Sequence, residues 1–459
     1  MTALAGFVRA RARRQRAVPW FIGTRVLMLL FALNVIPYFN PGAITGDVTT
    51  YRGWIDTYFL HGHFPVGDFR WQYPPGAAVP LLAPKLFANH LFGGSYFVVF
   101  FLMSLLADAL VFRMLLKTAR AGSPIAGSPD AGPQSSAGPS MAGPWAWTLG
   151  LCFIGPMAYG RYDLVVTALA VAALTVALRS EQVTSVARGV LIGIGTCIKA
   201  WPAALLFGIP RGRRGRAVLG AAALAAGFPA LVLAAMFPHV LDFLTNQESR
   251  GIQIESVFGT PFLVGHWFGW SGHVENVHQA AFEYLGPGVA AVGKIALATT
   301  LAGFAGLLFW RWKARRRADA EGGFTVTMLA DVALAATMVS MVTSRVLSPQ
   351  YLIWALGLAA VCLARPASVM RVPSLVIVGA MAVTQLIFPL FYHSMRGGQV
   401  FSGLILVGRN TALVAATVLA VLALFRWAGL SPDQQSPDQP ASARVSRGLP
   451  PERTSPTSP

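Results

Sequence analysis

Charge is scarce in this sequence, and negative charge is scarcer still. Lys, Arg, Asp and Glu make up 12% of the 459 residues, and only 18 residues are acidic, whereas hydrophobic residues make up 55% and the mean hydropathy is +0.57. Because a soluble domain is about a quarter charged, this composition excludes an ordinary soluble enzyme and indicates a membrane protein. Many apolar runs approach the roughly 20 residues that a helix needs to cross a bilayer.

Metal-binding patterns are also absent from the sequence. The three cysteines, Cys152, Cys197 and Cys362, lie in apolar segments without metal-ligand spacing, so we interpret them as small core residues. The sequence contains no Asp-x-Asp pair, and the pattern His61-Gly62-His63 is weak because it falls in a polar loop. We therefore expect neither a metal nor another cofactor.

Positive charge is the one charge in excess, with a formal net charge of +18. The basic residues lie in short loops between apolar runs, as the positive-inside rule predicts, and this placement argues against nucleic acid as a partner. Five arginines between Arg9 and Arg16 predict a cytoplasmic N-terminus. The first apolar run has no cleavage site after it, so we expect an uncleaved signal-anchor in a multi-pass protein of the plasma membrane.

The loop charges divide the chain into three predicted parts. Residues 1–19 are a basic cytoplasmic N-terminus, residues 20–426 a transmembrane domain, and residues 427–459 a disordered cytoplasmic tail rich in Pro, Ser and Gln. The domain has two outer loops, 40–76 and 238–287. The predicted fold class is an all-α polytopic membrane protein with about ten transmembrane helices plus short re-entrant helices.

Two segments do not fit a simple crossing. Residues 77–92 are short and contain two prolines, which predicts a re-entrant or interfacial helix. Residues 189–210 have basic residues at both ends, so both ends should be cytoplasmic. The simplest solution is a pair of half-helices that turn between Lys199 and Pro202, with Lys199 in a cavity rather than in lipid.

Polar residues that can take part in chemistry cluster at the outer ends of the predicted spans. They are Asp47, Arg161, Asp163, Arg250, Glu255, Arg345, Gln350 and His393, together with Lys199 in its half-helix turn. Ionisable groups at the membrane edge are functional candidates. One carboxylate that faces several fixed cations suits transfer from a phosphate-bearing donor, because the carboxylate takes a proton from the attacking hydroxyl and the cations hold the departing phosphate.

Each candidate also has a structural interpretation. Asp47 is a favoured residue type for the N-cap of a helix that starts at Val48. Arg161 and Asp163 suit a corner ion pair, and Lys199 can extend its amine to the membrane surface. The remaining alternatives are loop salt bridges for Arg250 and Glu255, an interface anchor for Arg345, and solvated or structural positions for Asp56 and Asp68.

The order of these residues resembles that of a known family, the polyprenyl-phosphate-mannose-dependent mannosyltransferases of glycosyltransferase family 87. The similar positions are an Asp soon after the first span, Tyr51, Trp54, Gly62, Pro65, YPPGA at 73–77, GRYD at 160–163, K-x-W-P at 199–202, RGIQIES at 250–256 and SPQYLIW at 348–354. They occur in order over residues 20–425, nearly the whole folded chain.

The resemblance implies a C-type glycosyltransferase fold and a polyprenyl-phosphate sugar as donor. The sugar, mannose in our prediction, would pass to a glycolipid or glycan hydroxyl on the outer face, with inversion at the sugar carbon and without a metal. Asp47 matches the family's catalytic aspartate. For the donor phosphate we predict Arg345, Lys199, Arg250 and Arg161, and for the sugar or acceptor Tyr51, Trp54, Tyr73, Asp163, Glu255, Gln350 and His393.

Two other classes of function share this composition. A transporter or flippase of lipid-linked sugars would also have a polytopic body, buried cations and broken segments. The two halves show no inverted repeat, and the polar residues gather on one side instead of at the midplane, which favours the enzyme. A third class is a non-catalytic membrane subunit that binds a glycan.

Overall fold

The computed structural model describes residues 2–68, 70–88, 92–121, 140–244, 251–277, 281–320 and 324–429. Helices dominate these residues, as the all-α prediction expects. The α-helices are α1 Thr2–Ala32, α2 Gly42–Thr57, α3 Ala78–Ala88, α4 Tyr96–Ala121, α5 Ala142–Ile154, α6 Asp163–Thr175, α7 Glu181–Ile198, α8 Arg213–Met236, α9 Thr260–Trp267, α10 Val289–Ala320, α11 Val326–Thr343, α12 Tyr351–Leu363, α13 Arg371–Gln385, α14 Tyr392–Arg396 and α15 Val400–Gly429.

A small antiparallel sheet lies between α8 and α10, in the predicted second outer loop. Its strands are β1 Ile252–Gln253, β2 His273–Val277 and β3 Ala281–Leu285, in the spatial order β1-β3-β2. Gln253 pairs with Glu283 of the central strand. Through β1 the sheet leads the chain back toward the helical bundle.

Five of the described helices are long and apolar enough to cross a membrane: α4, α8, α10, the α13 segment extended to Leu390, and α15. Four shorter apolar helices, α5, α6, α11 and α12, accompany them. Every residue of α12 from Leu352 to Leu363 is buried, so α12 lies at the centre of the bundle. On α8, by contrast, Leu224, Phe228 and Leu231 are 71%, 67% and 69% exposed, as expected of a face that meets lipid.

The predicted outer loop 40–76 is helical over its first half. α2 contains Asp47 in its second turn, and Pro41 occupies the N-cap position, so the interpretation of Asp47 as an N-cap is wrong. The buried residues of α2 recur at helical spacing and include Ile44, Val48 and Tyr51. Asp47 therefore lies at the edge of the buried face of an amphipathic helix.

Both broken segments have the helical form that the sequence predicts. α3 occupies most of the 77–92 segment. α7 ends before Lys199, which is extended (φ −155°, ψ 128°), and a short 3-10 helix follows over Trp201–Gly208. The two segments touch at Gly76, where a Cβ would lie 2.6 Å from the carbonyl oxygen of Cys197, so the Tyr-Pro-Pro turn needs glycine there.

A buried ion pair that the sequence analysis did not single out joins α1 to α4. Nε of Arg25 lies 2.8 Å from Oδ2 of Asp108, and both side chains are almost fully buried. Asp108 also accepts hydrogen bonds from Nε1 of Trp147 at 2.7 Å and from the hydroxyl of Tyr159 at 3.0 Å. This network holds in place the residue that directly precedes Gly160.

Candidate active site

The candidate site is built around the corner between α5 and α6, residues 159–163. α6 begins at Asp163, and a short 3-10 helix leads into the corner from α5. Gly160 brings α2 against the corner, because a Cβ at this position would lie 1.9 Å from the carbonyl oxygen of Ile44. Only glycine allows this close approach of the corner to the helix that carries Asp47.

Asp47 and Arg161 form an ion pair between Oδ2 of the carboxylate and Nη1 of the guanidinium. The side chain of Arg161 is 9% exposed, whereas that of Asp47 is 39% exposed. The carboxylate is therefore held from its buried side and open on the other. This geometry suits a base that meets a substrate hydroxyl, with a fixed cation beside it.

Asp163 and Lys199 form a second ion pair, which is more deeply buried. Nζ of Lys199 lies 2.7 Å from Oδ1 of Asp163, and Nε1 of Trp354 donates to the same oxygen at 2.5 Å. The corner ion pair between Arg161 and Asp163 is therefore wrong, since each pairs with another residue. The interpretation that Lys199 extends to the membrane surface is wrong for the same reason.

Aromatic rings surround the amine of Lys199. Its Nζ lies 4.9 to 5.8 Å from the ring centroids of Tyr73, Tyr162, Tyr351 and Trp354. The ring of Trp201 stacks on Trp354 with centroids 5.4 Å apart. Cation–π attraction adds to the ion pair in such a closed site. The amine of Lys199 is thus held in its ion pair with Asp163.

The predicted sugar-binding aromatics come together next to Asp47. Ring centroids are 5.8 Å apart for Tyr51 and Trp54 and 6.0 Å apart for Trp54 and Tyr73. Tyr51 and Trp54 are each only 2% exposed, so other protein groups cover their rings, whereas Tyr73 is only partly buried. Of the three, Tyr73 offers the most surface to a sugar.

The second outer loop brings Glu255 to Arg161. Gln253, at the end of β1, accepts the backbone N–H of Leu347 at 2.8 Å and donates to Oε2 of Glu255 at 3.3 Å. Glu255 is 2% exposed, so it is not a solvated loop residue. Burial raises its pKa from 4.5 to about 7, against the lowering effect of Arg409 and Arg161.

Other predicted residues lie around this cluster. Nε of Arg345 donates to the carbonyl oxygen of Gly293 at 3.1 Å. Gln350 directly precedes α12 and is half-buried. His393 is exposed on α14, with Nδ1 3.2 Å from Nη2 of Arg396. Arg250 and residues 430–459 of the predicted tail lie outside the described residues.

Asp56 is exposed at the surface, whereas Asp68 has a structural role. Asp56 forms surface ion pairs with Arg52 at 3.5 Å and Lys85 at 3.3 Å. Burial raises the pKa of Asp68, but hydrogen bonds from Arg70 and Trp54 outweigh it and lower that pKa to about 2. Asp68 thereby holds the ring of Trp54 beside the site.

Two residues of α15 belong to the site although the sequence analysis passed over them. Nη2 of Arg409 donates to the carbonyl oxygen of Glu255 at 3.0 Å, and Nδ2 of Asn410 donates to the carbonyl oxygen of Ser256 at 3.1 Å. Both residues lie inside a long apolar run. A charged residue in such a run is a signal in itself, and it differs from the other candidates because it does not lie at the end of a segment.

An apolar groove of about 520 Å³ lies next to the turn that carries Lys199. It is lined by residues of the segments 59–64, 75–82, 194–198 and 225–237. These belong to the loop after α2, to the region from the Tyr-Pro-Pro turn into α3, and to α7 and α8. A hydrocarbon chain fits this lining, because every wall is made mainly of apolar side chains.

A comparison with protein families finds one match. The model of glycosyltransferase family 87 matches residues 71–340, which is more than half of the chain. The chain belongs to glycosyltransferase family 87. No curated protein and no solved structure matches it.

Membership of glycosyltransferase family 87 confirms the family that the sequence resembles and makes the protein a membrane glycosyltransferase. Its partners are accordingly a sugar donor, an acceptor and the lipid bilayer. The matched part contains Tyr73, the 159–163 corner, Lys199 and Glu255. Asp47 lies before it, and the structure supplies the link, because the ion pair with Arg161 joins α2 to the matched part.

Proposed function

We propose that the protein transfers a sugar, predicted to be mannose, from a polyprenyl-phosphate donor to a hydroxyl of a glycolipid or glycan on the extracytoplasmic face of the plasma membrane. The main support for this proposal is the half-exposed carboxylate of Asp47, which is oriented by the buried guanidinium of Arg161. A carboxylate held in this way is oriented for contact with a substrate hydroxyl, from which it can take a proton.

Asp47 acts as the general base in a single displacement. It takes the proton of the acceptor hydroxyl while that oxygen forms a bond to the anomeric carbon of the sugar. The bond from the anomeric carbon to the phosphate oxygen breaks, and polyprenyl phosphate leaves with both electrons of that bond. Attack and departure occur on opposite faces of the sugar, so the configuration inverts.

The departing phosphate gains one negative charge, which fixed cations stabilise. Arg161 is the candidate nearest the base. Arg345 and Arg250 remain predicted phosphate ligands from the adjoining segments, and Lys199 would act by way of its ion pair with Asp163. The apolar groove beside this pair would hold the prenyl chain.

The sugar and acceptor would lie between the aromatic residues and the outer loop. Tyr73 has the best-placed ring surface, supported from behind by Tyr51 and Trp54. Asp163 and Glu255 supply carboxyl groups for hydroxyl recognition. Gln350 and His393 are the predicted acceptor contacts at the edge of the site.

The same proposal includes the architecture around the site. It keeps about ten crossings in a C-type arrangement within residues 20–426, flanked by cytoplasmic segments 1–19 and 427–459. Five long apolar helices and four shorter ones packed among them support this number. Charge-rich ends such as the start of α8 support the predicted inner side.

The test compares Asp47→Asn with Asp56→Asn in purified protein, using radiolabelled polyprenyl-phosphate-mannose and a membrane-lipid extract as acceptor. Both residues lie on α2, but Asp56 makes only surface ion pairs. We expect label in a new glycolipid with wild type and Asp56→Asn, and a loss of roughly 100-fold or more with Asp47→Asn. Equal transfer by all three proteins would remove Asp47 from the mechanism. Transfer in detergent would also exclude a transporter, which needs two sealed compartments.

A further inference from the structure

A buried polar cluster lies between the second outer loop and α15. Glu255, Arg409 and Asn410 are 2%, 1% and 2% exposed, and Arg161 connects the cluster to Asp47. Nη2 of Arg409 and Nδ2 of Asn410 bind backbone carbonyl oxygens of the loop, so the loop and the helix are fastened together. These contacts satisfy only part of the hydrogen-bonding capacity of the guanidinium and amide groups.

Five buried polar atoms of this cluster have no hydrogen-bond partner among the described residues. They are Nε of Arg161, Oε1 of Glu255, Nε and Nη1 of Arg409, and Oδ1 of Asn410. Native proteins leave few such atoms unpaired, because each loses its hydrogen bonds to water on burial. Three N–H donors and two acceptors in one cluster indicate a site for a polar ligand.

The charges in the cluster face one another without direct contact. Both Arg161 and Arg409 lower the pKa of Glu255, yet within the described parts of the chain neither forms an ion pair with its carboxylate at 4.0 Å or less. The groups therefore lie near one another without closing into ion pairs. Two guanidinium groups against one carboxyl group give the cluster a preference for an anion.

Two of the other predicted phosphate ligands, Lys199 and Arg345, are engaged elsewhere, and Arg250 lies outside the described residues. Lys199 is paired with Asp163 inside its aromatic surroundings. Arg345 donates through Nε to the carbonyl oxygen of Gly293. Arg409, like Arg161, is a buried cation that still has N–H groups to offer, and its Nε and Nη1 are on different edges of a planar donor fork.

We propose that Arg409, together with Arg161, binds the phosphate group of the lipid-linked donor, while Glu255 in its neutral form donates a hydrogen bond to the same phosphate. The proposal rests on the proposed function, because it takes the donor to be a polyprenyl phosphate ester. It places the leaving group next to the cation that orients Asp47, and for Glu255 it replaces the hydroxyl contact proposed above.

Binding then depends on pH through Glu255. The groups that act on this carboxyl group are Arg161 from the corner, Arg409 from α15 and Tyr392 from α14. When Glu255 is ionised, its charge repels the phosphate, and when it is protonated it becomes a donor. The affinity for a singly charged phosphodiester should therefore fall as pH rises through the pKa of Glu255, about 7.

The experiment measures equilibrium binding of a short-chain prenyl methyl phosphate to the full-length protein in detergent between pH 6 and 8.5. This diester carries one fixed charge, so the probe itself does not titrate, and the matching prenol serves as the uncharged probe. The variants are Arg409→Gln, Arg409→Lys and Glu255→Gln. Arg426→Gln is the control, because Arg426 is an exposed arginine on the same helix.

We expect Arg409→Gln to weaken diester binding by roughly 10- to 100-fold, with prenol binding unchanged, and Arg409→Lys to recover part of the loss. Glu255→Gln should bind the diester with the same affinity across the pH range, and Arg426→Gln should match wild type. Unchanged diester affinity in folded Arg409→Gln would overturn the proposal. Equal affinity of the wild-type protein for diester and prenol would also overturn it, because the cluster would then show no preference for an anion.

If Arg409→Gln does not fold, the pH dependence of diester binding by Glu255→Gln tests the proposal instead. A pH dependence that persists in Glu255→Gln would refute the role of Glu255 and, with it, the shared phosphate site. If the wild type transfers sugar but Arg409→Gln binds the diester as tightly as the wild type does, this inference alone is refuted. Diester binding through Arg409 without transfer from any donor would refute the proposed function and leave the anion site standing.

Discussion

Replacing Gly160 by alanine tests whether the corner positions the catalytic base. The added Cβ would lie 1.9 Å from the carbonyl oxygen of Ile44, and contacts of Cβ atoms below 3.0 Å are essentially never seen. The corner and α2 must therefore move apart by at least 1.1 Å, because the opposing atom belongs to the backbone and cannot rotate away. Asp47 lies one turn further along the same helix.

A shift of this size separates Asp47 from Arg161 and misplaces the carboxylate. Misplacement by about 1 Å costs on the order of 100-fold in rate, so we expect kcat for sugar transfer to fall by about that factor. In our proposal Arg409 of α15 also binds the donor phosphate, so KM for the donor should change less. The assay is initial-rate transfer from labelled donor, alongside thermal unfolding in detergent.

Gly53→Ala is the matched control. Gly53 lies on the same helix, and a Cβ there meets no atom within 4 Å. Alanine also favours a helix by up to about 1 kcal/mol over glycine. We expect normal transfer and equal or higher stability. Wild-type activity in Gly160→Ala, with an unchanged unfolding temperature, would refute the claim that the contact between the corner and α2 sets the position of Asp47.

Two further predictions concern stability. Asp108→Asn leaves Arg25 as a buried charge without its counterion, so unfolding in denaturant should show a loss of about 3–5 kcal/mol, whereas loss of a surface pair in Asp56→Asn should cost under about 1 kcal/mol. An equal loss in both variants would contradict the structural role of the buried pair. Glu255 has a pKa raised from 4.5 to about 7, so the folded state keeps a proton that the unfolded state releases between these pH values. Stability should fall by about 3 kcal/mol from pH 4.5 to 7, and Glu255→Gln should remove that part of the profile; identical profiles would show that Glu255 titrates normally.

Segment type was predictable from the sequence wherever composition and loop charge acted together. The break at Lys199 is an example, because basic residues at both ends of one apolar segment argue against a single crossing, and α7 ends directly before this residue. The re-entrant path of this segment stays a prediction. For α2 the sequence analysis gave a helix only as an alternative that starts at Val48, although the apolar positions Ile44, Val48 and Tyr51 follow a helical period from the first turn. The segment is polar overall and was therefore interpreted as a loop. The period of its apolar residues is a better guide to an amphipathic helix than its overall polarity.

The partners of the charged residues were not predictable in the same way. Asp163 was expected to pair with Arg161, two residues away, but the chain turns so that Arg161 reaches Asp47 and Asp163 reaches Lys199. Such pairing depends on which helices touch, and one sequence does not contain that information. Arg409 was detectable as a charge within an apolar run, yet its relation to Glu255 depends equally on tertiary contacts.

The pairing pattern sets Arg409 apart from the residues of the two buried ion pairs. In an apolar environment an uncompensated charge is costly, so charges that only stabilise the fold should be closed into pairs. Arg25 with Asp108 fits this rule fully, and Lys199 with Asp163 fits it apart from one unpaired oxygen. Arg409 breaks the rule, since it is equally buried and retains two unpaired nitrogens within the described chain. In our proposal the phosphate of the donor supplies the missing partner of these nitrogens during catalysis.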